Sequence, residues 1–210
     1  MTKSLVGLSA LLVALSGALI AQNKLLTIKK VVDVIDGDTI VVDTQRLRLR
    51  GVSAPELENC YGEESKEYLT KLIKNKKVII TDPIADKWGR VVALVYLNNK
   101  LINLELIKNG FAHYESGPTS MKDQFQSASD YARTKKLGIF SSVCSQTANS
   151  KNPNCNIKGN IIADRDTKIF HLPYCQGYNL VTVDLSIGEQ WFCTESDAIT
   201  AGYTKSQNCP

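Results

Sequence analysis

Only two histidines, His113 and His171, occur in 210 residues. That scarcity excludes chemistry built on several imidazoles, including most hydrolytic zinc sites. The six cysteines contain no C-x-x-C pair, which argues against a structural zinc centre as well. No internal repeat is present, and an ordinary globular composition sets aside bulk disorder. No charge falls between Ser4 and Ala21. A basic Lys3, an apolar middle and small residues at the end give this run the outline of a secretory signal, with cleavage expected after Ala18 or Ala21. It is long for a signal and short for a spanning helix, so residues 1–21 are read as a signal peptide or an N-terminal membrane anchor. No cysteine lies near its end, which excludes a lipoprotein cleavage site.

Export gives the cysteines a role. They are even in number, and four of them (Cys155, Cys175, Cys193 and Cys209) crowd into the tail. In an oxidising compartment, secreted or periplasmic, disulfides are the first expectation. Cys60 is expected to pair with Cys144, tying the start of the first helical region to the end of the larger domain. The tail's four then pair among themselves, in one of three connectivities. Charge is uneven too. Residues 22–143 carry 19 Lys or Arg against 15 Asp or Glu, whereas 144–210 carry 5 against 6. The basic surplus belongs to the N-terminal part, and it fits a polyanion partner and an ordinary soluble surface equally well.

From Leu25 to Val42 the chain is rich in Val and Ile and is broken by "DGDT" at 36–39, which predicts strand, turn, strand. "RLRLRGV" (46–52) alternates at period two, putting Arg46, Arg48 and Arg50 on one face of a third strand. "GEESKEYLTKLIKN" predicts a helix with Tyr68, Leu69, Leu72 and Ile73 as its apolar stripe. "KVIITDP" and "RVVALVYL" are two further strands, joined by "IADKWG". "LINLELIKNG" is a short helix closed by Gly110. A longer helix follows, with Ser120 and Asp123 suited to its start and Gly138 to its end. Five strands with a helix after the third predict an α+β chain: a five-stranded OB-fold-type β-barrel with three helices over 22–144. A polar linker over 145–154 and a small disulfide-rich domain over 155–210 complete it.

Three pieces carry chemistry. Asp36 and Asp38, flanking a glycine in a turn, can offer oxygens to a hard cation, and equally read as solvated turn acids. Arg48 on its strand and Glu56 just after Pro55 can grip a phosphate and take a proton from water; a surface ion pair is the plain alternative. Arg90 opens a strand after a glycine turn and projects from a barrel rim, or simply guards an edge.

The order of "VIDGDTIVV", "LRLRGVSAPE", "YGEESKEYL", "DKWGRVVALVY", "INLELIKNGFA" and "ARTKKLGIFS" resembles the staphylococcal nuclease (thermonuclease) family over about 26–141. The resemblance implies Ca²⁺-dependent hydrolysis of DNA and RNA phosphodiesters. It implies Arg48, Glu56 and Arg90 as catalytic residues. Asp38 is then a calcium ligand, Asp36 an outer-sphere carboxylate, and the Ala54 carbonyl a further oxygen. Arg46 and Arg50 lie outside the implied set; they read as general phosphate contacts or as simply solvated, and the second is expected. One position departs from the pattern. Ser53 stands where the family has an aspartate ligand, so a weaker calcium site is expected. The alternative is a nucleic-acid-binding barrel with weakened or absent catalysis. The tail, with "CNIKGNI", "KIFHLPYC" and "GEQWFCTESDAITAGY", resembles a small cysteine-bearing module found beside some bacterial thermonuclease domains. His171, Trp191 and Tyr203 are expected in its core. A monomer is expected, with attachment to a membrane through residues 1–21 if they are retained.

Overall fold

The computed structural model describes residues 27–162 and 167–210; the expected signal or anchor at 1–21 lies outside them. Three strands, β1 (Thr27–Val34), β2 (Thr39–Val42) and β3 (Gln45–Leu49), form an antiparallel meander. After helix α1 (Gly62–Ile73), β4 (Lys77–Ala85) returns antiparallel to β1, and β5 (Val91–Leu97) pairs with β4. β5 also pairs in parallel with β3, Arg48 opposite Val92, which closes a five-stranded barrel. The α+β, OB-type architecture expected from the sequence is the one observed.

Alternation does what the pattern requires. Leu47 and Leu49 are buried while Arg46 is exposed and Arg48 sits at the margin. Each such buried leucine contributes about 2 kcal/mol. Helix α1 covers one end of the barrel with Leu69 and Ile73. Helix α2 (Ile102–Lys108) is tied on by the buried Asn103, whose Oδ1 accepts the Val95 N–H at 2.9 Å and whose Nδ2 donates to the Arg50 carbonyl at 2.9 Å. Helix α3 (Lys122–Thr134) packs Phe125, Ala128 and Ala132 inward.

Helix α2 ends as expected: Gly110, at φ +73°, donates to the Ile107 carbonyl, and Phe111 N–H reaches the Leu106 carbonyl. That is a Schellman closure. Helix α3 ends earlier than the sequence suggests. Lys136, at φ 51°, takes the left-handed position, and its amide and that of Leu137 close the same motif on Arg133 and Ala132. Gly138, itself at φ +50°, lies beyond that closure and serves packing, for an added Cβ would lie 2.0 Å from the Gly110 carbonyl oxygen.

The C-terminal unit is a small sheet in the order β8–β6–β7–β9, built from β6 (Ile157–Ile162), β7 (Thr167–His171), β8 (Gln190–Phe192) and β9 (Thr204–Lys205). Helix α4 (Glu195–Thr200) starts with a capping box between Thr194 and Asp197. Phe170, Phe192 and Tyr203 form its small core, and His171 is buried beside them. Cys155–Cys193 and Cys175–Cys209 staple this unit, and Cys60–Cys144 joins α1's approach to the end of the barrel domain. Closing that 84-residue separation stabilises by about 4.5 kcal/mol in the chain-entropy account. Ser145–Gln146, within the stretch read as a linker, forms a short strand with Val183–Asp184, and Gln146 accepts the Trp191 indole N–H at 2.8 Å. No helix among the described residues is long and apolar enough to cross a membrane.

Candidate active site

The turn 36–39 is organised by its first acid. Asp36 Oδ1 accepts the Asp38 N–H at 3.0 Å and the Thr39 N–H at 2.7 Å, an arrangement that fixes the turn with its own side chain. Gly37 lies so close to the next loop that a Cβ would fall 2.6 Å from Ala54 Cβ and 2.7 Å from Ser65 Cβ. Glycine is needed there for space, and the close approach sets Asp38 against Ala54.

The Asp38 side chain is only 4% exposed. Its Oδ1 accepts Arg48 Nη1 at 2.6 Å and the Thr39 hydroxyl at 2.9 Å; its Oδ2 accepts the Ala54 N–H at 3.0 Å. Burial pushes its carboxyl up to about 6, against the pull of Arg48 and with a further push from Asp36. The carboxylate is therefore under-compensated by one guanidinium, and a second cation would favour its charged form. Oδ1 has both lone pairs engaged, while Oδ2 shows a single donor and keeps one lone pair for a cation. With Asp36 in the same turn and the Ala54 amide on Oδ2, the chemistry of this donor set suits a hard cation only weakly. Among the described residues no group of three or more His, Cys, Asp or Glu is placed to hold a metal ion.

Arg48 and Arg90 line one cleft of about 170 Å³, together with Arg50, Asp86, Trp88 and Glu115. Among the described residues, Arg48 Nη2 makes only long approaches, 3.4 Å to the Val52 carbonyl and 3.9 Å to Glu115 Oε2. Arg90 Nε donates to Asp86 Oδ2 at 2.6 Å, and Asp86 Oδ1 accepts the N–H groups of Trp88 and Arg90, each at 2.9 Å. Burial works against the Asp86 carboxylate, yet the side-chain and backbone bonds from Arg90 outweigh it and hold the group below its ordinary value. The Arg90 guanidinium also lies 4.7 Å from the Trp88 ring centroid, and Trp88 is 67% exposed at the cleft edge.

Glu56 is exposed, follows a buried Pro55, and lies outside the residues lining the cleft. Its carbonyl accepts the Asn59 N–H at 2.9 Å. Ser53 pairs backbone to backbone with His113. The structure thus pairs Arg48 with Asp38, brings Arg48 and Arg90 to one cleft, and leaves Glu56 outside that lining. Arg50 corrects the sequence reading: it is not merely solvated but donates to the carbonyls of Asp82, at 3.2 Å, and Pro118. Asp86 was legible in principle, as an Asp opening a glycine turn before Arg90. Glu115 gave no local signal.

The family described as staphylococcal nuclease homologue matches residues 46–142. The thermonuclease of Staphylococcus intermedius is 33% identical over 122 residues, which is 51% of this chain and 72% of that protein. The thermonuclease of Staphylococcus hyicus is 32% identical over 126 residues, 53% of this chain and 75% of that one. A probable staphylococcal-like nuclease of Oryza sativa subsp. japonica is 36% identical over 106 residues, but the chain spans only 28% of that longer protein. The C-terminal unit lies beyond the family match.

Proposed function

This chain belongs to the staphylococcal nuclease family, and from that premise we propose that it hydrolyses phosphodiester bonds of DNA or RNA with the help of Ca²⁺. The observation that carries the reading is the convergence of Arg48 and Arg90 on one cleft beside a buried carboxylate. Two guanidiniums facing one space suit a phosphate, whose oxygens each fork can grip in parallel. Arg48 is held by Asp38 through one nitrogen, and its second makes only long contacts that phosphate oxygens would replace. Arg90 is aimed by Asp86 in the same way. Both charges would then meet the extra negative charge of a five-coordinate transition state without reorganising.

Glu56 is the residue for the water. Exposed beside the Ala54 loop, it orients the attacking water or takes its proton. Pure phosphate binding has no need of such a group. Asp38 and the Ala54 carbonyl, with Asp36 in the same turn, would hold a calcium ion, which would supply positive charge against the phosphate. Three disulfides and the uncharged run at the start of the sequence support work in an extracytoplasmic compartment.

A second reading has one observation in its favour. Ser53 contributes a neutral hydroxyl where the family pattern has a carboxylate, which would turn the barrel into a binder with weak catalysis. Degradation of DNA and of RNA, measured in Ca²⁺ and in chelator, decides. Calcium-dependent cleavage supports the enzyme; binding without cleavage at millimolar Ca²⁺ supports the binder.

A further inference from the structure

The segment 184–188 of the C-terminal unit touches the barrel domain at two places, and both lie on one short stretch of chain. At the first, Ser53 pairs with His113, and His113 Nε2 lies 2.8 Å from the Ser186 hydroxyl. Ser186 gives its only hydroxyl proton to Asp184 Oδ1, 2.5 Å away. His113 Nε2 must therefore carry a hydrogen and donate it. Asp184 approaches that same ring nitrogen, at 3.7 Å, and Ser186 is buried. A catalytic relay would need the acid on the opposite nitrogen. This trio is a joint.

At the second place, the Cys60 N–H donates to the Leu185 carbonyl at 3.2 Å, and the Leu185 N–H donates to the Cys144 carbonyl at 2.9 Å. One backbone residue of the C-terminal unit so bridges both halves of the Cys60–Cys144 disulfide. Gly188 sits nearby, with a Cβ position 3.6 Å from Asn59 Nδ2. Between these two grips run Ala54, Pro55 and Glu56. The Glu56 carbonyl is bonded to the Asn59 N–H, and Gly62 approaches it so tightly that an added Cβ would lie 2.0 Å from the oxygen. The backbone of Glu56 inherits the placement of Asn59 and Cys60.

We propose that Asp184, Ser186 and His113 are positioning residues for the Ala54–Glu56 segment, the C-terminal unit acting as a clamp closed on both of its ends. The proposal rests on the reading of Glu56 as the group that orients water. On this proposal the C-terminal unit fixes both ends of the loop that carries the exposed Glu56.

The test uses the full chain with His113→Phe, Ser186→Ala and the conservative His113→Gln, which keeps a donor near the Nε2 position. Two quantities are read: kcat and KM on single-stranded DNA in Ca²⁺, and amide hydrogen exchange over residues 52–62. The Phe and Ala variants are expected to lose roughly tenfold or more in kcat with little change in KM. Exchange should quicken over 52–62 and stay unchanged in β1 and β2, and His113→Gln should restore both quantities. Faster exchange throughout the barrel, or unchanged kcat whatever the exchange does, overturns the proposal. If the parent protein cuts neither DNA nor RNA, the nuclease reading fails by itself. The clamp then stands or falls on the exchange over 52–62, which needs no activity.

Discussion

The Asp38 carboxylate and the Arg48 guanidinium meet at 2.6 Å on the barrel rim, so the residue that would hold a cation also aims the residue that would hold a phosphate. Their pairing is buried on the acid's side and about one-fifth exposed on the arginine's. Neither can be altered without disturbing the other.

Asp38 should leave a mark on the pH dependence of stability. In chelator its carboxyl titrates at about 6 in the folded chain, against 3.8 for an unhindered aspartate. Between those values the folded state holds a proton that the unfolded state has released. The stability it contributes is thus complete below the lower value and is lost as pH rises through the upper one, to a limit of about 3 kcal/mol. Asp38→Asn removes the group, so the variant's unfolding free energy should gain on the parent's across that window. Urea titrations that run parallel at every pH would refute this.

Turnover should depend on Glu56 and Arg90 far more than folding does. Both side chains are exposed and fill no core. Replacing either by Ala is expected to lower kcat about a hundredfold, on the order of 3 kcal/mol of transition-state stabilisation, with an unchanged melting temperature. Wild-type cleavage by either variant contradicts the mechanism.

Asp86 should matter one step removed. In Asp86→Asn the backbone bonds to Trp88 and Arg90 are retained by the amide oxygen, while the charged partner of Arg90 Nε is lost. A drop in kcat of roughly tenfold is expected, smaller than for Arg90→Ala, because the guanidinium remains but is less well aimed. A loss equal to that of Arg90→Ala would mean that Asp86 meets the substrate itself.

Ser53→Asp tests the cation site. A carboxylate beside Asp38 adds the charge that a hard dication favours, and without metal it repels the neighbouring acids. Calcium should raise the variant's melting temperature more than the parent's, since a ligand specific to the folded state stabilises by mass action. Equal Ca²⁺ affinities by calorimetric titration would show that another group already supplies the missing charge.

Gly37→Ala probes the approach of the turn to the loop. Its Cβ would fall within 2.7 Å of both Ala54 and Ser65 Cβ atoms, distances that force backbone to move. A loss of about 1–3 kcal/mol is expected, read as a lower denaturation midpoint, together with weaker Ca²⁺ binding as Asp38 and Ala54 part.

The barrel was legible because its strands alternate cleanly: Arg46, Leu47, Arg48 and Leu49 assign their own faces. Gly110 was legible for the same local reason, a glycine placed where a helix needs a left-handed residue. Lys136 was not. Nothing in a lysine announces positive φ, and Gly138 two residues later drew the assignment although its smallness serves the contact with Gly110. Arg50 was misread because its partners, the carbonyls of Asp82 and Pro118, are far along the chain. The joint between Ser186 and His113 was hidden likewise, since 73 residues separate them and neither segment carries a motif.

The parallel pairing of β3 with β5 has a consequence for how activity tracks folding. Arg48 lies in that pairing, opposite Val92, and Arg90 stands just before β5 begins. An unzipped barrel therefore holds no cleft at all, only two arginines on separate strands. A chain nicked between the strands and opened would lack the cleft and should be chemically silent. On the nuclease reading, cleavage should report the closed fraction of the population and nothing short of it.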